Sequence, residues 1–425
     1  MLIHCSKVAN KKKCALRKAP STFSFETVDS AHLIKADHWN SIVPFGSEFL
    51  KLPYLYVWEK AHAENMRFHY TIIYDQNKPV AIGYFQVIDF NGENFESIIE
   101  MENNEALCRI TAYLQKHLAN HLKRNADKIN MRLLICGNSF ISGEHGFTHV
   151  PDINKPELID ALADVIYSIG KTEKLRGKIA AVLVKDFYIT DDHAADELSE
   201  FKYHDFVAEP NMILPIQWSS MDDYLNAMSK KYRHRAKGII KKGEVMERKI
   251  FSVEEITTNE QIINQLYKNV HLKAKFRLAT LPASYFAEMK RELKDKFVFT
   301  AYYFQENLVG FRSTFILNKE IEAHFIGIDY NLNKQLELYQ NMLYDYVKEA
   351  ITRGTNKLIL GRTASEIKST IGAEAVELKC YIRHHNPLSN RIIKPFVDYL
   401  KPAAWIPRNP FKDAELEPAM VRSKS

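Results

Sequence analysis

Two stretches of this chain carry one pattern twice. FHYTIIYDQNKPVAIGYFQ runs from Phe68 to Gln86, and FVFTAYYFQENLVGFRSTF from Phe297 to Phe315. Each has two β-branched and aromatic runs around a short polar break, the pattern of a hairpin. Thr71, Tyr74 and Val80 recur as Thr300, Tyr303 and Val309 at the same spacing. Farther along, each hairpin is followed by a strand ending at a glycine, LLICGN at 133–138 and LILGRT at 358–363. A long amphipathic helix is expected before each of those strands. Hairpin, helix and strand in the same order twice predict two tandem copies of one α/β domain built on a mixed α+β sheet.

Bulk properties agree with two domains. A chain of 425 residues exceeds what one core serves. With 46% apolar and 12% aromatic residues it can bury substantial cores. No apolar run reaches the about 18 residues a membrane-spanning helix needs. The net charge is +6, with much of the excess in Lys7, Lys11, Lys12, Lys13, Arg17 and Lys18 and in the stretch 230–250. The basic start has no apolar segment behind it, so no secretory signal is expected. The five cysteines, Cys5, Cys14, Cys108, Cys136 and Cys380, are scattered and odd in number. They form neither a disulfide framework nor a zinc pattern, which predicts a reduced, cytoplasmic protein without a metal.

The expected organisation is a basic irregular start over 1–24, a first domain over 25–210, a second over 211–412 and a tail over 413–425. Pro53 lies early in a helix that carries Tyr54, Tyr56 and Trp58. Further helices are expected at 104–125, 156–177, 221–242, 258–275, 282–295 and 335–353, and after AVELKCYIRH. Strands are expected at 179–187, 211–216 and 321–330. In the 335–353 helix, Tyr339, Met342, Leu343, Tyr346, Val347, Ala350 and Ile351 share one face, and Gly354 supplies a stop. Thr363 and Glu366 have capping-box spacing for a short helix that Gly372 ends.

The order of elements in the second half resembles the GNAT superfamily of N-acetyltransferases, and a tandem pair of such domains also resembles the Fem-type peptidyltransferases. The most specific local match is GRTASEIKSTIGAE, Gly361 to Glu374, with the GIDY strand end and the trailing YIRHHNPL. These resemble bacterial GNAT-like acyltransferases found beside enzymes that make long-chain amino ketones. The resemblance covers roughly 220–412, and the N-terminal half more weakly. It implies that the second domain is the catalytic one and that two strands, 321–330 and 357–363, splay apart to hold a pantetheine arm. It further implies an N-acyltransferase whose acceptor is a lipid amine of sphingoid or sulfonolipid type. Its donor would be acyl-CoA or an acyl-phosphopantetheine carrier protein. The family's usual helix start, a Gln or Arg before a glycine-rich turn, is replaced by Asn331-Leu332-Asn333-Lys334-Gln335. A tight backbone cradle for pyrophosphate is therefore not expected. Either Lys334 and Asn331 contact the donor or this stretch is a polar turn that caps a helix.

Amine acylation needs a base for the ammonium, donors for the thioester oxyanion and an acid for the thiolate. His324 on the expected splayed strand is the candidate base. Tyr330 at its end is the candidate acid, and Asp329 would orient either neighbour. Each reads also as an ordinary strand or turn residue. Arg362, Glu366 and Lys368 follow a strand end where open α/β sheets bind ligands. Arg362 is the candidate anion fork and Lys368 an added point charge; an internal Arg–Glu pair is the alternative.

The segment SKKYRHRAKGIIKKGE places Lys230, Lys231, Arg233, His234, Arg235, Lys237, Lys241 and Lys242 close together. Arg233 and Arg235 are candidate contacts for an anionic donor, carrier protein or membrane surface at the inner membrane. A solvated basic helix is the plainer reading. A tRNA partner belongs only to the Fem-type alternative, against which no sustained heptad run appears; nucleic-acid specificity is otherwise not indicated. A third alternative is no catalysis, one or both copies having become a binding or scaffold domain, the first the readier to have lost chemistry. The first copy has GNSFISGEHG, Gly137 to Gly146, where the second is expected to have GRTASEIKST, although Glu144 and His145 remain available to a site.

Overall fold

The structure is a computed structural model that describes residues 3–4, 22–45, 47–62, 66–91, 130–189, 194–273, 280–391 and 404–412. The helices expected at 104–125 and after AVELKCYIRH, most of the basic start and the tail lie outside the described residues. The chain divides into two compact units. The first holds Met1–Val207, Lys273–Pro282 and Lys379–Lys401; the second holds Ala208–Leu272, Ala283–Leu378 and Pro402–Ser425. No helix among the described residues is long and apolar enough to cross a membrane.

In the first unit, β1 (Ser24–Val28) pairs with β2 (Met66–Asp75), which forms a hairpin with β3 (Lys78–Asn91). Helices α1 (Ala36–Ile42) and α2 (Leu52–His62) lie between β1 and β2 in the chain. Strand β4 (Asn130–Cys136) pairs antiparallel with β3, and the short β5 (Phe147–His149) pairs with β3 as well. Then α3 (Lys155–Glu173) leads to β6 (Ile179–Tyr188), which runs parallel to β4.

The second unit repeats this plan. After β7 (His204–Pro215), α4 (Met221–Ala227), α5 (Lys230–Gly243) and β8 (Glu247–Ile250) come α6 (Val253–Thr258), α7 (Glu260–His271) and α8 (Tyr285–Leu293). The hairpin β9 (Phe297–Phe304) and β10 (Asn307–Ile316) follows, and β11 (Glu320–Ile328) pairs antiparallel with β10. Helices α9 (Tyr330–Leu336) and α10 (Leu338–Thr352) lead to β12 (Lys357–Ile359), parallel to β11 and antiparallel to β7. The short α11 (Ser365–Ser369) and β13 (Glu374–His384) end the described sheet elements.

The hairpins match in fine detail. Gln76 and Asn77 both have positive φ, as do Gln305 and Glu306, the conformation of a two-residue turn whose twist suits a hairpin. Each hairpin also carries one register shift just before its turn, at Ile73/Tyr74 and at Tyr302/Tyr303.

The later strands correct the expected alignment. LLICGN ends β4, which pairs antiparallel with its hairpin, so its counterpart is β11 rather than LILGRT. LILGRT supplies β12, whose counterpart is β6, since both run parallel to their neighbours. The hairpin-to-strand distance misled the alignment because residues 92–129 intervene in the first copy, where β10 and β11 are almost adjacent in the second. The expected 221–242 helix is also two helices. Met228 between them is extended, fully buried and bridged to Phe411. The capping box at Thr363 is absent: Thr363 and Ala364 are left-handed, and α11 starts without a side-chain cap.

Two buried polar groups fix these units. In the first, Glu173 at the end of α3 is fully buried and accepts from His69 Nε2 at 3.1 Å and Arg132 Nη2 at 2.8 Å. Burial alone would raise its carboxyl, but those hydrogen bonds outweigh it and hold the group down at about 2. In the second, Asn341 near the start of α10 donates to the carbonyls of Ile239, Leu336 and Glu337. A Cβ at Gly243 would lie 2.2 Å from Asn341 Oδ1, so α5 packs here only through a glycine.

A carboxyl depressed in the folded state stabilises above its unfolded value and loses that contribution as pH falls through the folded one. Stability of the first unit is therefore expected to drop between about pH 4.5 and about pH 2, and Glu173→Gln to remove that part of the slope. Denaturant melts of both proteins across this range test it. Asn341→Leu is expected to cost roughly 2–4 kcal/mol, because it removes three hydrogen bonds of a buried side chain; urea midpoints measure it.

Candidate functional site

The candidate site lies where β11 and β12 part. They pair over only three positions, Glu320↔Lys357, Ile321↔Leu358 and Glu322↔Ile359. Beyond these, β11 runs on to Ile328 while the chain after β12 stays with β7, through Leu360 N–H to the Met212 carbonyl and Met212 N–H to the Gly361 carbonyl. The expected splayed pair is thus present, with β12 ending at Ile359 rather than at 363. The corresponding pair in the first unit stays joined from Arg132↔Ile179 to Cys136↔Val184, the end of β4. Just past that end, buried Lys185 donates to the carbonyls of Asn138 and Ile141 and pairs with Asp186 at 2.5 Å. A Cβ on Gly137 would lie 2.7 Å from Lys185 Cγ. A lysine side chain therefore packs directly on the end of the first copy's strand pair.

A bulge shapes the open edge of β11. Its register against β10 jumps from Thr314↔Ala323 to Arg312↔Ile326, so His324 and Phe325 together oppose Ser313. Ser313 Oγ bonds both the Phe325 carbonyl and its N–H, each at 3.0 Å. Ile321 and Ala323 before the bulge, and Ile326 after it, pack in the core with α10. Glu322, His324 and Phe325 consequently face the other way. His324 Nε2 lies 2.6 Å from the hydroxyl of the fully buried Tyr285, and the rings of Phe315 and Phe325 stand 4.6 and 4.3 Å from its own. Strand alternation alone would turn His324 away from both Ala323 and Phe325; it does face away from Ala323, but the bulge resets the alternation and puts Phe325 on its side.

Two buried ionisable groups accompany it. Glu322, 3% exposed, sits at the last paired position of the fork. Burial pushes its carboxyl well above the usual range; Glu320 adds to this, and Lys368 and Lys357 oppose it. Lys368, the expected added point charge, is 5% exposed, and its ammonium donates to the carbonyls of Gly361 and Arg362. Burial draws it down to about 7 against the pull of Glu209 and Glu322. It holds together a turn in which Gly361, Thr363 and Ala364 all have positive φ, a strained arrangement typical of functional sites.

The remaining expected residues divide. Asp329 caps α9, its carboxylate accepting from Asn331 N–H at 2.9 Å. Tyr330 follows at the helix start, 36% exposed, its phenol raised by partial burial and so protonated at neutral pH. Asn331 and Lys334 are exposed on α9. No phosphate cradle forms at the start of α10, for a physical reason: Tyr339 N–H is taken by Asn333 Oδ1, and left-handed Glu337 brings a carboxylate that accepts from Lys242. Arg233 clips the Asn226 carbonyl at 3.4 Å.

Arg235 and Glu366 meet elsewhere. A cleft of about 350 Å³ lies between α5 and α11, lined by Lys231, Tyr232, Arg235, Glu366, Ile367, Thr370 and Arg408. Glu366 is paired, but with Arg408 Nε at 3.1 Å rather than with Arg362. Short α11 thus presents Lys368 inward and Glu366 and Ile367, with Thr370 just after it, to the cleft. Sequence reasoning missed Glu322, Tyr285, Glu209 and Arg408. A lone acid within the apolar run IEAHFIGI was the available signal for Glu322; nothing in WIPRNPF marked Arg408.

No protein-family model matches the chain, and no curated protein matches it in sequence. Solved structures do match its fold. A tandem GNAT protein from the clavulanic acid biosynthesis pathway, solved without AcCoA, superposes with a TM-score of 0.52 at 7% identity, covering 86% of this chain and 99% of that one. FemX superposes with a TM-score of 0.51 at 12% identity, covering 85% of this chain and 98% of FemX. This chain has the tandem GNAT-like fold that those structures share.

Proposed function

We propose that the second unit is an N-acyltransferase that moves an acyl group from a thioester to a primary amine. The carrying observation is the fork: β11 leaves β12 after three pairs, and beside its open edge stand His324, Tyr285 and Glu322. Backbone groups on that edge suit the amides of a pantetheine arm and can stabilise a thioester oxyanion. His324 takes the proton of the attacking amine, with Tyr285 holding the ring. The nitrogen bonds to the acyl carbon, the C–S bond breaks, and the thiolate takes a proton from Tyr330. The products are an amide and a free thiol. Burial pushes the Glu322 carboxyl above its usual range and draws the Lys368 ammonium down to about 7, which suits both to proton exchange at the fork.

The cleft with Lys231, Arg235 and Arg408 is assigned to phosphate groups of the donor, acyl-CoA or an acyl-phosphopantetheine carrier, and Arg362 to an anionic group at the same mouth. The cleft supplies cations, whereas Glu337 brings a carboxylate to the start of α10, which fits a donor held away from that helix start. The lipid amine of sphingoid or sulfonolipid type rests on the resemblance of GRTASEIKSTIGAE alone. An aminoacyl-tRNA donor is the second reading, and the exposed basic residues of α5 favour it. An acyl carrier protein or an anionic membrane would dock on that same helix.

His324→Ala is expected to lower kcat by roughly 10²–10⁴-fold with little change in donor KM. Acylation of a long-chain amine from an acyl-CoA measures it, and a variant of undiminished kcat would remove His324 from the chemistry. Arg235→Ala with Arg408→Ala is expected to raise KM for acyl-CoA about tenfold or more, as losing charge-assisted contacts does. KM for an N-acetylcysteamine thioester, which has no phosphate, should not move. Equal effects on both donors would refute the cleft assignment, and activity only with aminoacyl-tRNA would select the second reading.

A further inference from the structure

Away from the strand fork, the geometry points to a serine in the first unit activated for acyl transfer: Ser47, with His145 as its base. Ser47 Oγ lies 2.7 Å from His145 Nδ1. The other ring nitrogen, Nε2, lies 3.0 Å from the carbonyl oxygen of Ser142. A carbonyl only accepts, so Nε2 carries the proton, and in the neutral imidazole Nδ1 holds a lone pair. The Ser47 hydroxyl therefore donates to Nδ1. This is the order nucleophile, base, orienter that activates a weak hydroxyl, with a backbone carbonyl in the orienting place.

The ring is held in that pose. Phe49 meets it edge-on, with centroids 5.0 Å apart and planes at 79°. Gly143 has φ +125, and a Cβ there would lie 2.9 Å from Nε2, so the loop seats the imidazole only because a glycine passes beneath it. Phe49 N–H donates to Ser47 Oγ at 3.1 Å, a contact that also stabilises developing alkoxide. Both Ser47 and His145 are half-buried.

The substrate class is an acyl ester or thioester. Ser47 Oγ bonds to the carbonyl carbon while its proton passes to His145 Nδ1. The C–O or C–S bond to the leaving group breaks, and the leaving alkoxide or thiolate takes that proton. The result is an acyl-Ser47 ester with a free alcohol or thiol. Water, giving a proton to His145, then releases the carboxylic acid and regenerates Ser47. This site is independent of the fork in the second unit.

The test is labelling of the full chain with a fluorophosphonate probe, followed by peptide mass spectrometry. The expected adduct is on Ser47, and His145→Asn should slow its formation by roughly 10²–10⁴-fold. Hydrolysis of p-nitrophenyl acetate should fall in parallel in Ser47→Ala. Wild-type protein, shown to be folded by circular dichroism, that forms no Ser47 adduct overturns the proposal, whatever the variants do. So does an adduct whose rate is indifferent to His145→Asn in a folded variant; that result would make the pair a loop clasp.

Discussion

The bulge at His324–Phe325 sets the chemistry available to the second unit. A regular strand would alternate, placing His324 and Phe325 on opposite faces. Ser313 prevents this by bonding both the N–H and the carbonyl of Phe325. Both side chains then face away from α10, just past the last position at which β11 pairs with β12. A parallel pair closed along its length would spend on strand pairing the backbone groups that line the parting here. Two buried ionisable groups flank the parting: Glu322 at the last paired position and Lys368 under the turn that follows β12.

The two copies show what the same plan does without that opening. Their hairpins agree down to a turn with two left-handed residues and a register shift next to it. Yet β4 and β6 remain paired to the end of β4, and Lys185 with Asp186 packs on that end. Both units bury charge inside hydrogen bonds, the first at Glu173 and Lys185 and the second at Arg312 with Glu349. Function lives in such sites and not in the fold that carries them.

Charge in the second unit is sorted by a helix of five residues. Inward, α11 buries Lys368 against carbonyl oxygens at an ammonium drawn down to about 7. Outward, it adds Glu366 to a cleft whose other charged residues are Lys231, Arg235 and Arg408. The basic run that wraps α5 in the sequence is therefore not one stripe. Arg233 returns to the Asn226 carbonyl, Lys242 reaches Glu337, and Lys231 and Arg235 line the cleft.

The hairpins, α10 with its buried face, α3, β6 and the strand carrying His324 were all legible in the sequence, because alternation and helical periodicity are local properties of the chain. So was the duplication, since the turn and its flanking apolar runs are contiguous. Which strand of one copy answers to which of the other was not, because that is decided by pairing partners far apart in sequence. The candidate site divides in the same way. His324 and the mouth after LILGR were marked by composition and position. The bulge that turns His324 and Phe325 to one face, the burial that makes Glu322 and Lys368 unusual acids, and the meeting of Ser47 with His145 and of Glu366 with Arg408 arise only when distant segments close on one another. Side-chain chemistry and short-range geometry are determined by sequence; proximity and desolvation, which decide what that chemistry can do, belong to the tertiary structure.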